Sequence, residues 1–474
     1  GNLDVAEKLG FLDREYLSHY ERIRVDSEIP LQKGFVTEGV YERFYPISEE
    51  EEAAGKTFLS VSMVVGTGLN PRLYVAFQIL EYVLLTASGA PLKQALIDAG
   101  IGTDVYGGYD SGILQPIFSV VAKNTDREKL DAFLRVVRET LERLACEGIG
   151  ERALAAGINY FEFKYREADF GSYPRGLMYG LQCFDSWLYD ERDPFMHLQY
   201  EEVFAFLKEK QAEGFFEDLI REYLLDSLHQ AVVVLSPQKG MERERQRALS
   251  EALSKKLSAM GQEERRELIR KTRELKEYQQ APSSREALES IPSLAREDIR
   301  REPLPLGGEL CADCGVPVFF SELPTNGIGY IRLAFDVSSV RREDWPYLGL
   351  LRYVLGLLDT DRHSYQEFSN EVNASTGGIQ VSLGSYPSLD GSGDFRAALE
   401  LNSKAFYDGQ EKALGFLEEI IHGSVLTDGK RLFELSARGR SSVREWMGSS
   451  GHSAAVVRAG SYHSPVSAFG DATA

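Results

Sequence analysis

An internal duplication constrains this chain more than any other feature. Tyr82-Val83-Leu84 recurs as Tyr353-Val354-Leu355, 271 positions on. Glu128-Lys129 with Phe133-Leu134 recurs as Glu411-Lys412 with Phe416-Leu417, 283 on. Ala99 and Ala374 each precede a glycine-bearing turn, and Arg166-Glu167 answers Arg444-Glu445. Offsets that drift by a few residues are what loop insertions produce. The period is far too long for a solenoid, whose repeats run to about 20–50 residues. Two copies of one unit must therefore share a fold.

The order of elements in the unit sets the fold class. The first copy opens with a helix over Asp4–Tyr20 and a strand over Tyr41–Pro46. The alternation in Thr57–Val65 predicts a half-buried strand. Helices are expected over Leu73–Leu85 and Pro91–Ala99, then strands over Asp104–Tyr109 and Leu114–Ala122. A long helix over Asp126–Cys146, with Asp126 as N-cap, and more helix over Glu151–Tyr189 complete it. The second copy repeats this order: strand Ile328–Val337, helices Tyr347–Leu358 and Tyr365–Val372, strands Gly378–Leu383 and Phe395–Leu401, helices Gln410–His422 and Lys430–Trp446. The expected class is α+β: two homologous domains, each an antiparallel sheet with helices on one face.

Between the copies the composition changes. Glu242–Glu277 holds 8 acids and 11 bases, a net +3, whereas the whole chain carries -20. Leu249, Leu253 and Leu257 share one helical stripe, and Leu268, Ile269 and Leu275 another, on either side of Gly261. That reads as a charged helical hairpin, followed by linker at Ala281–Ser284 and Pro303–Leu306. The expected domains are 1–238, 239–306 and 307–474, the last truncated at its C-terminus. No closing helix or strand is read before Ala474, and both termini read as cut, as in a fragment of a longer protein.

The acidic excess argues against nucleic-acid binding, which needs a basic face, and suits neutral or basic partners. Four cysteines in 474 residues make no disulfide framework. No run is read as long enough and apolar enough for a membrane span, and no signal peptide is visible at Gly1–Gly10.

Few residues point to chemistry. The seven histidines, His19, His197, His229, His363, His422, His452 and His463, include no H-E-x-x-H or H-x-x-E-H pair that would aim two imidazoles at one zinc. His363 with Glu367 reads as a pair at a helix start, and His452 as part of another helix start. Cys311 and Cys314 form a lone C-x-x-C before a strand at Val316–Phe320, where no helix N-terminus lowers a thiol pKa. A metal or redox role for them is the weakest reading. Gly107-Gly108 and Gly377-Gly378 read as strand turns rather than phosphate loops. Phe161, Phe163, Tyr165 and Phe170 read as core.

Asp13–Ser18, Gly55–Ser60, Gly89–Leu96 leading to Tyr106-Gly107-Gly108, and Ser450–Ser453 followed by Val457–Ala459 stand in an order that resembles the presequence-protease branch of the insulysin/pitrilysin zinc metallopeptidases. The resemblance covers nearly the whole chain. It implies four homologous α+β domains that close as a two-half chamber around unfolded peptides, with the hairpin between halves. This chain then corresponds to the second and third domains. The zinc motif belongs to the first domain, and a helper Arg and Tyr to the fourth. The helix Leu350–Leu355 stands where a zinc helix would be and carries Arg352 and Tyr353 instead of ligands. Tyr106 matches the helper Tyr by position, but Gly100 stands where the helper Arg would be.

The resemblance thus implies a non-catalytic middle portion of a zinc metalloendopeptidase, with no catalytic residue and no metal ligand of its own. Zinc is implied for the parent enzyme only. The implied partners are unfolded peptides, basic ones among them, and the other domains of the same protein, in a bacterial cytoplasm or an organelle matrix. The alternative is an inactive peptide-binding or structural subunit of the same fold.

Overall fold

In the computed structural model, residues 4–35, 39–87, 89–291, 293–302, 307–311, 315–390 and 392–473 are described. The first copy contains α1 (Val5–Glu15), β1 (Gly39–Ile47), β2 (Thr57–Val64), α2 (Pro71–Glu81), α3 (Pro91–Asp98), β3 (Asp104–Asp110), β4 (Ile117–Thr125), α4 (Leu130–Glu147) and α5 (Glu151–Glu167). It continues with α6 (Arg175–Trp187), α7 (Tyr200–Lys210), α8 (Phe215–Leu219) and β5 (Gln230–Lys239). The hairpin follows as α9 (Met241–Ala259) and α10 (Gln262–Gln280), then α11 (Arg285–Glu289), β6 (Glu309–Cys311) and β7 (Val318–Phe320). The second copy contains β8 (Ile328–Asp336), α12 (Trp345–Val354), α13 (Tyr365–Ser375), β9 (Ile379–Pro387), β10 (Phe395–Phe406), α14 (Gln410–Gly423), α15 (Gly429–Ser449), α16 (Gly451–Gly460) and α17 (Pro465–Thr473).

The duplication is visible in the sheets. The first has the order β1-β5-β2-β4-β3 and the second β8-β10-β9. In both, the strand before the helices (β2, β8) pairs antiparallel with β4 or β10, which pairs antiparallel with the strand between them in sequence (β3, β9). Thus β2-β4-β3 and β8-β10-β9 are the same three-strand unit. Thr57, Leu59, Val61 and Met63 alternate inward along β2, as the period-2 pattern requires. They meet Phe77, Leu80 and Leu84 of the α2 region and Phe133, Val137 and Leu141 of α4 in one core. The second copy has a smaller core around Phe368, Leu401, Phe416 and Ile420.

Contacts divide the chain into two compact units: residues 1–43, 54–236 and 325–474 form one, and 44–53 with 237–324 the other. Both three-strand units lie in the first. There α5 packs on α13: Asn159 Nδ2 donates to the carbonyls of Asn373 (2.8 Å) and Thr376 (3.1 Å). Lys404 Nζ pairs with Glu167 Oε2 at 2.5 Å, and the Phe163 ring lies 5.1 Å from that of Phe406. The second unit holds the hairpin, whose turn is fixed by Glu264 accepting the Gly261 N–H at 3.0 Å.

Several expectations change. Helix Glu151–Tyr189 is two helices, because Ala168 turns left-handed (φ 46°) and Pro174 stands at the N-cap of α6. Asp126 stands at the N-cap of the short turn that leads into α4, but its side chain does not cap it; its carboxylate accepts the Gly55 N–H at 2.8 Å. Helix α12 stops at Val354, ahead of Gly356 at φ 79°. Two helices, α16 and α17, precede Ala474, and Phe469 of α17 packs against Trp345 and Phe395. Gly107-Gly108 lies inside β3 rather than in a turn, whereas Gly378 (φ 101°) does precede β9. By length and composition the stretch Pro71–Asp98 could cross a membrane, contrary to the sequence count. Its Phe77, Ile79, Leu80 and Leu84 are instead fully buried in the core.

Candidate functional site

Helix α2 is set by its first turn. Asn70 accepts from the N–H groups of Arg72 (3.1 Å) and Leu73 (3.2 Å), and Pro71 occupies the first helical position. The helix ends in a π-type turn, Tyr82–Thr86, which carries Thr86 back to Glu81, Oγ1 donating to Oε1 at 2.9 Å. Gly107 makes room for this end of the helix: a Cβ there would stand 2.3 Å from Leu85 and 3.0 Å from Glu81.

Tyr74, Gln78 and Glu81 share one face of α2 by helical spacing and open onto a cavity of about 710 Å³. Its other walls come from Tyr109 at the end of β3, Phe161 and Tyr165 of α5, Phe170 of the connection, and Tyr179 and Asp185 of α6. That size is typical of ligand sites, roughly 300–1,000 Å³. The Tyr74 hydroxyl donates to Asp185 Oδ2 at 2.8 Å, and Gln78 Nε2 to the Tyr165 hydroxyl at 3.2 Å. The Tyr109 hydroxyl is buried and, among the described residues, has no hydrogen-bond partner. Burial drives the pKa values of Tyr74, Tyr109 and Tyr165 well above the ordinary phenol value, so all three are neutral. Burial also raises Glu81, against a smaller lowering by the Thr86 hydroxyl. Behind the wall, His197 stacks on Tyr74 at 3.9 Å; burial holds its pKa below the ordinary value, and Asp185 partly offsets this.

The sequence reading did not single out this cavity. Three of the four aromatics read as core, Phe161, Tyr165 and Phe170, line it, while Phe163 is core at 3% exposure. The signal available was the Tyr74, Gln78, Glu81 spacing on an otherwise apolar helix.

The residues expected to lack metal chemistry sit as follows. The Tyr353 hydroxyl accepts from Arg438 Nε at 3.2 Å, and Arg352 lies in the last turn of α12. In the first copy the equivalent positions are Glu81 and Tyr82, and Tyr82 stacks on Tyr160 at 4.5 Å. Among the described residues, no three His, Cys, Asp or Glu side chains come together to hold a metal. One carboxylate with a glutamine and a tyrosine on α2, and an arginine with a tyrosine on α12, do not fit zinc. Gly100 is at φ 68°, a conformation in which an arginine would be strained, and its carbonyl accepts Lys129 Nζ at 2.7 Å. Tyr106 is exposed on β3, opposite Val121.

His363 pairs with Glu419 of α14 rather than with Glu367, Nδ1 to Oε1 at 2.8 Å. Glu367 instead completes a capping box with Ser364. His452 follows Ser450 at the start of α16, as expected. Cys311 is exposed in β6; Cys314 and the Pro303–Leu306 linker lie outside the described residues.

Residues 1–161 match the family described as peptidase M16 inactive domain, and residues 235–474 the one described as associated with peptidase M16, subfamily C. Protein HypA of Clostridium perfringens is 36% identical over 98% of this chain and 47% of its own length. Presequence protease 1 of Arabidopsis thaliana, chloroplastic/mitochondrial, is 29% identical over 97% of this chain and 43% of its own. The crystal structure of pitrilysin is similar over 93% of this chain and 43% of that one, at 14% identity and a TM-score of 0.44. The chain thus spans less than half the length of these curated relatives. It belongs to the M16 peptidase family, in the group associated with subfamily C.

Proposed function

We propose that this chain is a non-catalytic part of a zinc metalloendopeptidase that degrades unfolded peptides inside a chamber closed by two halves. Its own share is to hold substrate. The zinc ligands and the general base come from other domains of the same protein, and the three parts 1–238, 239–306 and 307–474 serve as second domain, hairpin and third domain. The observation that carries this reading is family membership together with a donor-poor α12, where Arg352 would repel a cation. Tyr106 in this reading is a structural remnant. The names of relatives that are presequence proteases of chloroplasts and mitochondria support presequence-like peptides, taken here as unfolded and basic, as substrate; those relatives and the bacterial one fit an organelle matrix or a bacterial cytoplasm as location.

Strand β3 is the last strand of its sheet, and among the described residues no strand pairs with its outer edge. An extended peptide can add there through main-chain hydrogen bonds, side chains alternating toward and away from the helices. The test is anisotropy titration of the chain with a labelled, unstructured peptide and with its counterpart methylated at alternate backbone nitrogens. Binding of the first and loss of binding by the second are expected. Equal binding by both would contradict capture by strand addition.

A further inference from the structure

Two carboxylates, Glu81 and Asp185, face the same half-buried cavity, and among the described residues their hydrogen-bond partners are the hydroxyls of Thr86 and Tyr74 rather than cations. Glu162, a buried acid elsewhere in the fold, is held by Arg166 and Lys208. The donors at the cavity are neutral hydroxyls, Thr86 on Glu81 and Tyr74 on Asp185. Uncompensated negative charge in a site walled by aromatic rings is costly unless a cation enters. Ring faces add attraction for a delocalised or alkylated cation. Among the described residues Lys164 is the one basic residue of the lining, and it is exposed and does not cancel both acids.

We infer that this cavity takes a cationic side chain, the guanidinium or ammonium of an arginine or lysine in a bound peptide. Glu81 and Asp185 supply the charge, and Tyr109, Tyr165 and Phe170 supply the walls. Tyr109 belongs to β3, and Ser111 just beyond it also lines the cavity. A peptide added along β3 would therefore pass its mouth and could place one basic residue in it. The inference rests on the peptide-binding reading above and adds to it the place where one basic side chain of the peptide is held.

The test uses two fluorescent peptides identical except that one carries arginine where the other carries citrulline, which keeps shape and loses charge. Binding is measured by anisotropy for the 474-residue chain and for Glu81→Gln, Asp185→Asn and Phe170→Ala. Glu81→Gln is the primary variant, because among the described residues Glu81 bonds only to Thr86, whereas Asp185 holds Tyr74 of the cavity wall. The wild-type chain is expected to bind the arginine peptide at least about tenfold more tightly, a gap expected of a partly desolvated charge pair with ring contacts. Glu81→Gln should close most of that gap and leave the citrulline peptide's Kd unchanged. Phe170→Ala should weaken the arginine peptide alone. Equal affinity of both peptides for the wild-type chain, or a preference that survives all three variants, would overturn the inference while leaving peptide binding intact. Failure of both peptides to bind would remove the inference and the peptide-binding reading together.

Discussion

Gly377 is where the two copies of the fold come closest to a steric limit. A Cβ at this position would stand 2.5 and 2.6 Å from Cε1 and Cζ of Phe163, and 2.8 Å from Cγ of Lys404. Carbon contacts normally lie at about 3.5–4.0 Å, so Gly377→Ala requires a displacement of roughly 1 Å. Phe163 has little room to give, because it is 3% exposed and faces both Phe406 and the Lys404 ammonium. Overpacking of this kind costs about 1–3 kcal/mol. The lower backbone entropy of the unfolded alanine chain returns about 0.4–1 kcal/mol, so a net loss of about 1–2 kcal/mol is expected. Gly415→Ala is the control of opposite sign: it lies within α14, and a Cβ there would meet nothing within 4 Å among the described residues beyond its own helix backbone, so alanine should stabilise by about 0.5–1 kcal/mol. Phe163→Leu deletes the two ring atoms that the new methyl meets, so Gly377→Ala should cost less in that background. Urea unfolding followed by circular dichroism gives all four values. If Gly377→Ala unfolds at the same or higher urea, or costs as much beside Leu as beside Phe, the packing of α5 against the second copy is not as described.

Glu81→Gln should raise stability at neutral pH. Burial raises the folded-state pKa of Glu81, so the folded state binds more protons just above the ordinary carboxylate pKa, and wild-type stability falls as pH rises through that window. The variant should lack that fall; identical pH–stability curves would refute it. His197 has the opposite sign: its folded pKa is lowered, so stability should be lost as pH falls below about 6.5, where the unfolded histidine protonates. Thermal melts of His197→Gln should show less acid sensitivity than wild type between pH 7 and pH 5. Glu419→Ala should cost about 1–3 kcal/mol, since it strips a buried acceptor from the Thr360 hydroxyl and His363 Nδ1; an unchanged Tm would contradict that tie.

The duplication was legible because the matching residue pairs fall at or beside corresponding elements in the order of each copy. Tyr82 follows α2 and Tyr353 lies in α12, while Glu128-Lys129 opens the α4 region and Glu411-Lys412 opens α14. Period-2 burial made β2 readable, and the leucine spacing around Gly261 made the hairpin readable. The cavity was not legible, because its walls come from β3, α2, α5 and α6, which only folding brings together. Local chemistry misled in the same way at Asp126 and His363. Each sits beside a plausible local partner but bonds to Gly55 or Glu419, far away in sequence. The Gly107-Gly108 pair looked like a turn because glycines usually punctuate strands. Here the first of them leaves space for Leu85 and Glu81 against β3.

The central claim is that this chain holds peptide but does not cut it, and a cleavage assay tests it most directly. A quenched-fluorescent, unstructured basic peptide is incubated with the purified chain in micromolar zinc, with and without a chelator. Binding without turnover is the expected result, because neither α2 nor α12 offers two imidazoles and a carboxylate to zinc. Turnover that the chelator abolishes, from a preparation free of other proteases, would contradict the account.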